Sequence, residues 1–469
     1  MKEYTTISRV YFIGIGGIGM SALARYYLNK QAMVSGYDKT QTPLTKQLES
    51  EGAIIHYEDD VQMLDKEAEL IIYTPAIPKG HKELDWYRQN NYELAKRSDV
   101  LREITKGSFN ICIAGTHGKT TISTMIAHIL RDSGFGCNAF LGGVSVNYNT
   151  NFWSSTNRVD VVEADEYDRS FLKLSPDIAL ISAMDADHLD IYGTVENMRA
   201  AFIDFAGKLK PGGLLLTRFG LPGEKLTAAN HVRYSLQNDA ADVYASNIIM
   251  HNGSYEFDVM AKDWMIDKVV LNMGGMHNVE NAVAAITIAH YLEIAPDKIK
   301  NAVANFKGVK RRFEYIISAS EAEKQKNDVV YIDDYAHHPE ELKALIKSAK
   351  SLFSKRRCTV VFQPHLFTRT RDFAKEFAEA LDLADEILIL PIYPARELPI
   401  EGVTSELILK KMENENADLI SKEQLLNYLE NNYLKSVQAS SYGQVLITVG
   451  AGNIDQLIQP IKKILLNSK

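Results

Sequence analysis

Short apolar runs, each followed by a turn and then by a stretch with helical periodicity, recur along this chain and restart three times. The three blocks open at residues 10–13, 109–113 and 329–332, where branched and aromatic side chains predict buried strands. Alternating strands and helices are typical of mostly parallel sheets with crossover helices. The pattern therefore predicts an α/β protein made of three such blocks.

The same pattern places further elements and the boundaries between the blocks. Strands are predicted at residues 33–37, 71–73, 159–162, 178–182, 214–216, 359–362, 386–390 and 445–448. Helices are predicted at residues 121–132, 339–352 and 372–383, and another begins at Met20. A polar stretch at residues 104–108 and a charged one at residues 321–328 separate the blocks. We therefore expect domains at residues 1–106, 107–315 and 316–469.

A glycine-rich loop follows the first predicted strand and fits the pattern G-x-G-x-x-G. Its candidate binding residues are Gly14, Gly16, Gly17, Ile18 and Gly19. Glycines there let the backbone approach a diphosphate at the positive end of the following helix. Asp38 ends the next predicted strand, about 20 residues further on, where a ribose-binding carboxylate is expected. By itself this pattern indicates a nucleotide of open kind, and an NAD-dependent dehydrogenase is one interpretation.

A second loop, after the strand at residues 109–113, is the stronger signal. Its residues are Gly115, Thr116, His117, Gly118, Lys119, Thr120 and Thr121. Backbone N–H groups of such a loop hold phosphates, a lysine neutralises the terminal phosphates, and a threonine hydroxyl can bind Mg²⁺. Ile113 stands where the first glycine of the common P-loop would be, which disfavours a standard motor protein or GTPase. The loop predicts an ATP site of a shorter kind.

Two acidic clusters follow neighbouring predicted strands, at residues 163–166 and 185–188. The carboxyl ends of parallel strands face the ligand crevice of an open α/β sheet, so both clusters are expected near the second loop. Mg²⁺ prefers hard oxygen ligands, with an occasional imidazole. The sequence therefore predicts a magnesium site beside the phosphate loop.

Composition narrows the class of protein only slightly. The 469 residues are 46% apolar and 24% charged, and the net charge of −8 argues against a dedicated nucleic-acid binder. No run reaches the roughly 18 apolar residues of a membrane span, and the glycines at residues 14–19 argue against a signal peptide. Three cysteines without metal-binding spacing suit a reducing compartment. We expect a cytoplasmic protein without nucleic-acid or membrane partners.

Taken in order, the motifs resemble those of the Mur ligase family. They are the phosphate loop, the clusters at residues 163–166 and 185–188, Gly-Met-His-Asn-Val-Glu-Asn at 275–281 and Arg-Arg-Phe-Glu at 311–314. The opening glycine loop, Asp-Asp-Tyr-Ala-His-His-Pro at 333–339 and Phe-Gln-Pro-His at 362–365 are similar to the branch that joins L-alanine to UDP-N-acetylmuramate. The resemblance extends from residue 9 to residue 455, nearly the whole chain.

The resemblance implies three domains. An N-terminal Rossmann-like domain would bind the UDP-sugar, so that the first glycine loop would hold its diphosphate. A central P-loop ATPase-type domain with a mostly parallel sheet would bind ATP, and a C-terminal Rossmann-like domain would bind the amino acid. The implied activity is ATP-dependent amide-bond formation through an acyl phosphate, in peptidoglycan precursor synthesis. ATP and Mg²⁺ are the expected cofactors, UDP-N-acetylmuramate and L-alanine the substrates, and a monomer or weak homodimer the expected state.

Individual roles follow from the same resemblance. Lys119 would contact the ATP phosphates, and the expected Mg²⁺ ligands are Thr120, Glu163 and His188. The nucleotide would further contact His277, Asn278, Asn281, Arg312 and Asp334. His337, His338, His365 and Arg369 would lie around the acceptor amino acid and the sugar carboxylate. Either His338 or His365 is the candidate general base, because histidine titrates near neutral pH.

Two departures from the family pattern accompany the resemblance. Leu366 stands where an arginine is common, and residues 198–205 contain no counterpart of the carbamoylated lysine that the later-acting sister ligases use. Three alternatives stay open from the sequence. One is the related ligase that attaches a recycled tripeptide to the same UDP-sugar. The others are an NAD-dependent dehydrogenase, which leaves the phosphate loop unexplained, and a non-catalytic nucleotide-binding regulator.

Overall fold

The computed structural model describes residues 4–186, 188–222, 226–395, 397–440 and 442–466. Its backbone divides into two compact units. Unit 1 consists of Met1–Ser246, Val259–Ile266 and Glu280–Val303. Unit 2 consists of Asn247–Asp258, Asp267–Val279 and Ala304–Lys469.

The first sheet is parallel throughout and has the order β3-β2-β1-β4-β5. Its strands are β1 (Arg9–Ile13), β2 (Met33–Tyr37), β3 (Ile54–His56), β4 (Leu70–Tyr73) and β5 (Leu94–Lys96). The helices of this region are α1 (Ile18–Asn29), α2 (Pro43–Ser50), α3 (Lys82–Gln89) and α4 (Arg97–Thr105), and a 3₁₀ turn precedes them at Tyr4–Thr6. The central strand β1 reads as a continuous apolar run because both of its faces are buried. This is the predicted Rossmann-like arrangement, with the first glycine loop at the carboxyl end of β1.

The second sheet has ten strands in the order β15-β14-β13-β12-β11-β10-β6-β9-β7-β8. They are β6 (Phe109–Ala114), β7 (Asn138–Ser145), β8 (Thr150–Trp153), β9 (Val159–Glu163), β10 (Ile178–Ile181), β11 (Leu214–Arg218), β12 (Asn230–Ser235), β13 (Val243–His251), β14 (Ser254–Ala261) and β15 (Met265–Leu271). The pairs from β7 through β9, β6, β10, β11 and β12 to β13 are parallel, and β8 pairs antiparallel with β7. The helices are α5 (Lys119–Asp132), α6 (Leu189–Tyr192), α7 (Val195–Ala206), α8 (Met276–Tyr291) and α9 (Pro296–Asn305), with a 3₁₀ segment at Tyr167–Lys173. The phosphate loop and both acidic clusters follow the central strands β6, β9 and β10.

The third sheet has the order β16-β17-β21-β18-β19-β20, in which only the edge strand β16 pairs antiparallel. Its strands are β16 (Glu314–Ile317), β17 (Val329–Asp334), β18 (Arg357–Phe362), β19 (Glu386–Ile389), β20 (Ala417–Leu419) and β21 (Gln444–Val449). The helices are α10 (Ala319–Ala322), α11 (Pro339–Leu352), α12 (Phe367–Asp372), α13 (Ala374–Leu381), α14 (Glu406–Leu409), α15 (Lys422–Tyr428), α16 (Leu434–Ala439) and α17 (Ile458–Leu466). A π-helix at Leu429–Tyr433 and a 3₁₀ turn at Asn453–Leu457 complete it. This region is likewise Rossmann-like.

The predicted α/β class with three sheet-bearing blocks is confirmed, whereas the residue numbers of the domain boundaries stay predictions. One predicted helix is wrong in its extent. Residues 372–383 do not form a single helix, because Phe373 has φ −119° and ψ 20° and separates α12 from α13, which ends at Leu381. The four strands from β12 to β15 lie outside every strand that the sequence predicted.

Two further findings concern the cysteines and the helices. Cys112, Cys137 and Cys358 are free thiols, and all three are buried. Burial raises the pKa of Cys137 and of Cys358 to about 12. Across the described ranges, no helix is long and apolar enough to cross a membrane.

Candidate functional site

The phosphate loop turns sharply between β6 and α5, and two glycines make that turn possible. Gly115 has φ +133° and Gly118 has φ +83°, in the left-handed region that favours glycine. A Cβ on Gly115 would overlap the hydroxyl of Ser182. That hydroxyl donates to the carbonyl oxygen of His117, and the N–H of Thr116 donates to the carbonyl of Ala183 over 3.1 Å. The loop is therefore held against the residues that directly follow β10.

Lys119, at the start of α5, extends back along its own loop. Its Nζ donates to the carbonyl oxygen of Gly115 over 2.6 Å and to Glu166 Oε1 over 2.7 Å. The Glu166 side chain is 1% exposed and that of Lys119 is 14% exposed. Burial raises the pKa of Glu166, and the Lys119 ammonium opposes that shift. The structure thus places the predicted phosphate-binding cation at the loop, already paired with a buried acid.

The Glu163 carboxylate lies beside the first turn of α5. The Thr120 hydroxyl donates to Glu163 Oε1 over 2.9 Å, and the N–H of Gly142 donates to Oε2 over 2.9 Å. A Cβ on Gly142 would overlap this carboxylate, so only glycine leaves it in place. The Ser123 hydroxyl also donates to Oε2, over 3.4 Å. Thr120 and Glu163 together supply the hard oxygen ligands that Mg²⁺ prefers. These two residues fit the expected metal.

His188 follows β10, and its backbone has φ +50°. Its ring packs edge-on against Tyr167 at 5.2 Å between centroids. Asp187, in the same predicted cluster, lies outside the described residues. In the described part of the chain, no group of three or more His, Cys, Asp or Glu side chains is arranged to hold a metal ion. The role of His188 as a ligand stays a prediction.

The first glycine loop is held in its conformation by hydrogen bonds to Asp38 and to the residue before it. The N–H of Gly16 donates to Asp38 Oδ2 over 2.8 Å, and the N–H groups of Gly14 and Ile15 both donate to the carbonyl of Tyr37. The helix α1 begins at Ile18, and the first N–H groups of a helix have no acceptor within it. Asp38 therefore shapes the loop directly, and its contact with a ribose stays a prediction.

A cavity of about 450 Å³ within unit 1 is lined at one side by Gly17 and Gly19 and at another by Glu163 and Asp165. Arg97 lines it as well: its Nη2 lies 3.4 Å from Asp165 Oδ2, and a Cβ on Gly19 would lie 2.9 Å from its Nη1. Sequence reasoning missed Arg97 and its neighbour Lys96. Lys96 ends β5 and Arg97 follows it. The carboxyl end of β5 lies at the same edge of the sheet as the glycine loop, and that position was the available signal.

The remaining predicted nucleotide residues are distributed between the units. In unit 2, His277 is exposed at the start of α8, and Asn278 Nδ2 donates to the carbonyl of Gly274 over 2.6 Å. In unit 1, Asn281 lies beside the phosphate loop, since a Cβ on Gly118 would lie 3.0 Å from its Oδ1. The adenine contacts of all three residues stay predictions.

Arg312 and Asp334 both lie in unit 2. They are connected through Phe313, which follows Arg312 in the sequence and contacts Asp334 through its N–H. The Arg312 side chain is exposed. Asp334 accepts from the N–H of Phe313 and of Ala336, each over 2.7 Å. Burial raises the pKa of Asp334 to about 6, against these two hydrogen bonds and the charge of Arg312. An exposed arginine remains available to an anion, and the ribose contact of Asp334 stays a prediction.

Of the four residues predicted to lie around the acceptor amino acid and the sugar carboxylate, three are in contact with one another in unit 2. The rings of His337 and His365 lie 6.0 Å apart, and Arg369 Nη1 lies 3.4 Å from the His337 carbonyl and 3.5 Å from His365 Nδ1. Tyr393, which the sequence did not single out, stacks on His365 at 6.0 Å. Burial, then the charges of Arg369 and His337, lower the pKa of His365. The ring of His338 instead packs against Phe373 at 5.1 Å, so the structure does not bring it into this group.

Comparison with known proteins gives concordant matches along the chain. Family models described as Mur ligase family, catalytic domain, as Mur ligase middle domain and as Mur ligase, glutamate ligase domain match residues 9–108, 113–289 and 311–452. The chain is 48% identical to a UDP-N-acetylmuramate–L-alanine ligase of Cytophaga hutchinsonii, over 98% of this chain and 97% of that protein. It is 46% identical to the ligase of the same name of Parabacteroides distasonis, over 99% and 98% of the two chains.

Solved structures agree in fold. A crystal structure of UDP-N-acetylmuramate–alanine ligase from Thermotoga maritima superimposes with a TM-score of 0.81 at 27% identity, covering 98% of this chain and all of the other. A murein peptide ligase from Psychrobacter arcticus superimposes with a TM-score of 0.65 at 22% identity and 98% coverage of this chain, which shows the shared fold alone.

Proposed function

The chain belongs to the Mur ligase family, and on that premise we propose that it joins L-alanine to the carboxylate of UDP-N-acetylmuramate at the expense of ATP. The reaction belongs to peptidoglycan precursor synthesis. Near half of the residues are identical to those of ligases named for this reaction, over almost the whole chain. We place the enzyme in the cytoplasm, where ATP is available and the three buried thiols remain reduced.

The cavity in unit 1 is the observation that carries the proposal. It joins the glycine loop at Gly17 and Gly19 to the carboxylate of Glu163, which contacts Thr120 of the phosphate loop. A UDP-sugar with its diphosphate on the glycine loop would direct its sugar towards the phosphate loop. Arg97 supplies a cation along that path. A dehydrogenase has no use for a phosphate loop at the far side of its diphosphate site.

The first chemical step activates the sugar carboxylate. A carboxylate oxygen attacks the γ-phosphorus of ATP, the bond to the β–γ bridging oxygen breaks, and ADP leaves. Lys119 offsets the negative charge that spreads over the transferred group. Thr120 and Glu163 would hold Mg²⁺, which would supply further charge neutralisation. The product is an acyl phosphate.

The second step forms the amide. The amine of L-alanine attacks the acyl carbon, and the tetrahedral intermediate expels inorganic phosphate. We assign proton removal to His365 in preference to His338, because His365 lies beside Arg369 and its lowered pKa keeps the imidazole neutral near pH 7. Arg369 would bind the carboxylate of alanine, for which its planar guanidinium is suited.

The direct test measures phosphate release from ATP with UDP-N-acetylmuramate, with and without L-alanine. Glycine, L-serine and the recycled tripeptide are compared as acceptors, and preference for the tripeptide would replace the proposal with the related ligase. Sugar labelled with ¹⁸O in its carboxylate is expected to transfer one ¹⁸O to phosphate, because the carboxylate oxygen leaves with the phosphoryl group. Turnover of NADH with a keto acid, or absence of any turnover, would contradict the proposal.

A further inference from the structure

Lys119 does not point freely into the phosphate loop; it is held by two acceptors. The Gly115 carbonyl lies 2.6 Å from its Nζ and Glu166 Oε1 lies 2.7 Å from it. An ammonium has three N–H groups, so one stays available, but the Glu166 carboxylate already neutralises the charge of Lys119. An incoming phosphate must therefore compete with a carboxylate for this cation.

Glu166 itself is fixed in position and incompletely satisfied. Its backbone carbonyl accepts from the Tyr192 hydroxyl over 2.6 Å and from the N–H of Arg169 over 3.0 Å. Asp168 and Arg169 follow with φ +52° and +60°, a conformation that costs energy for residues other than glycine. Glu166 Oε2 is buried and has no hydrogen-bond partner. A buried carboxylate oxygen of this kind is costly unless a ligand or cation completes it.

The charges around the loop are unfavourable to a bare polyphosphate. Glu163 and Glu166 both face the first turn of α5, and Asp185 lies 3.7 Å from the exposed His117 ring. Within the loop motif only Lys119 carries a fixed positive charge. Because Glu166 neutralises the charge of Lys119, the N–H dipoles of the loop are left to offset the negative charges of Glu163 and Asp185. A divalent cation arriving with the nucleotide would reverse that balance.

We propose that Glu166 makes nucleotide binding at this loop depend on a divalent cation. Without the cation, Glu166 retains Lys119 and repels phosphate. With the cation, Lys119 transfers to the phosphate, and the charge of the metal would offset that of the released Glu166 carboxylate. The inference rests on the proposed function in so far as the loop must bind a nucleotide. Glu166 acts here as a positioning residue, through Lys119.

The test measures the dissociation constant of ADP by calorimetry in EDTA and in excess Mg²⁺, and takes their ratio. In Glu166→Gln the amide oxygen still accepts from Lys119, but the negative charge is gone. We expect binding of metal-free ADP to tighten about tenfold, the scale expected for removing one nearby charge, and the ratio to fall accordingly. A purely structural role cannot produce this result, because a damaged site binds metal-free ADP more weakly.

Two variants serve as controls. Glu166→Asp keeps the charge and should retain a ratio nearer that of the wild type. Asp99→Asn removes a carboxylate from another 2.7 Å pair of unit 1, with Lys173, and should leave the ratio unchanged. If Glu166→Gln does not fold, as judged by its thermal transition, Glu166→Met fills the same space without charge and is measured instead.

The outcomes separate the two proposals. A Glu166→Gln ratio equal to that of Asp99→Asn, or weaker binding of metal-free ADP, would overturn the inference and leave the ligase function intact. Failure of the wild type to bind ADP even with Mg²⁺ would overturn both.

Discussion

The Thr120 hydroxyl and the Gly142 N–H hold opposite oxygens of one carboxylate, that of Glu163, each over 2.9 Å. The carboxylate therefore has a fixed direction before any ligand arrives. Replacing Glu163 with Gln exchanges one oxygen of this proposed Mg²⁺ ligand for an NH₂ group and leaves the volume unchanged. We expect phosphate release to fall by about 10²- to 10³-fold, the usual cost of losing one pre-organised stabilising group. The measurement is ATP turnover with both substrates.

For this variant the thermal transition serves as the control, and it should stay close to that of the wild type. Turnover within a few-fold of the wild type, with the same Mg²⁺ requirement, would show that Glu163 is not a metal ligand.

A substitution at Gly142 provides a second test of the position of the Glu163 carboxylate. A methyl group there would overlap the Glu163 carboxylate, so Gly142→Ala must push Glu163 away from Thr120. We expect kcat to fall at least tenfold, because displacement of a catalytic group by about 1 Å is enough for such losses. Gly207→Ala is a matched control: it has φ −67°, and its added Cβ would lie 3.3 Å from the nearest atom. Equal activity of the two variants would contradict the prediction.

Arg97 lies over the glycine loop and beside the cavity, and the sequence did not identify it. Arg97 lines the cavity and lies near Gly19, and we propose that its guanidinium binds the diphosphate or the sugar. Hydrogen bonds to charged groups are worth about 1.5–3 kcal/mol. Arg97→Gln should raise the KM of UDP-N-acetylmuramate about 10- to 100-fold, with little change in the KM of ATP. Steady-state kinetics with each substrate varied in turn provides the measurement.

Arg102→Gln is the corresponding control on α4, because Arg102 is about half exposed and pairs with its neighbour Glu103. If the KM of ATP rose as much as the KM of UDP-N-acetylmuramate, Arg97 would support the structure of the site in general and would not bind the sugar nucleotide specifically.

The pH dependence of alanine use should report His365. Its pKa is lowered by burial first and by Arg369 next, so the imidazole stays neutral, and able to accept a proton, at pH values below its ordinary 6.5. The acidic limb of kcat/KM for L-alanine is therefore expected below pH 6.5. Arg369→Gln removes one cause of the lowering and should move that limb to higher pH, besides weakening alanine binding.

Arg371→Gln, on the same helix but half exposed and paired with Asp372, should leave the position of the limb unchanged. Movement of the limb to lower pH in Arg369→Gln, or an equal movement in Arg371→Gln, would exclude His365 as the group that titrates.

The sequence predicted the central strands well because strands buried on both faces read as continuous apolar runs. The predicted bounds of the strand at residues 33–37 and of the helix at residues 339–352 also agree with those of β2 and α11. The strands from β12 to β15 were missed for the opposite reason. In β14, from Ser254 to Ala261, buried and partly exposed positions alternate, and no uninterrupted apolar run marks the strand.

The loops could be located from sequence because their chemistry depends on adjacent residues. The residues that contact and orient these loops could not be identified from the sequence. The pairing of Lys119 with Glu166 joins the start of α5 to the segment after β9, and the contact of Gly142 with Glu163 joins β7 to β9. Both depend on how the folded sheet brings distant residues together. The separation of His338 from His365 is of the same kind, since adjacent His337 and His338 point to different neighbours.

The reactivity of the three buried thiols can serve as a measure of local opening of the structure around each of them. A thiol reagent reacts with thiolate that solvent can reach, and here burial both covers the sulfur atoms and raises their pKa. Labelling resolved by mass spectrometry would time the exposure of Cys112 and Cys137 in unit 1 separately from that of Cys358 in unit 2. Cys112 lies in the strand that leads into the phosphate loop, so a bound nucleotide should slow its modification while Cys358 keeps its own rate.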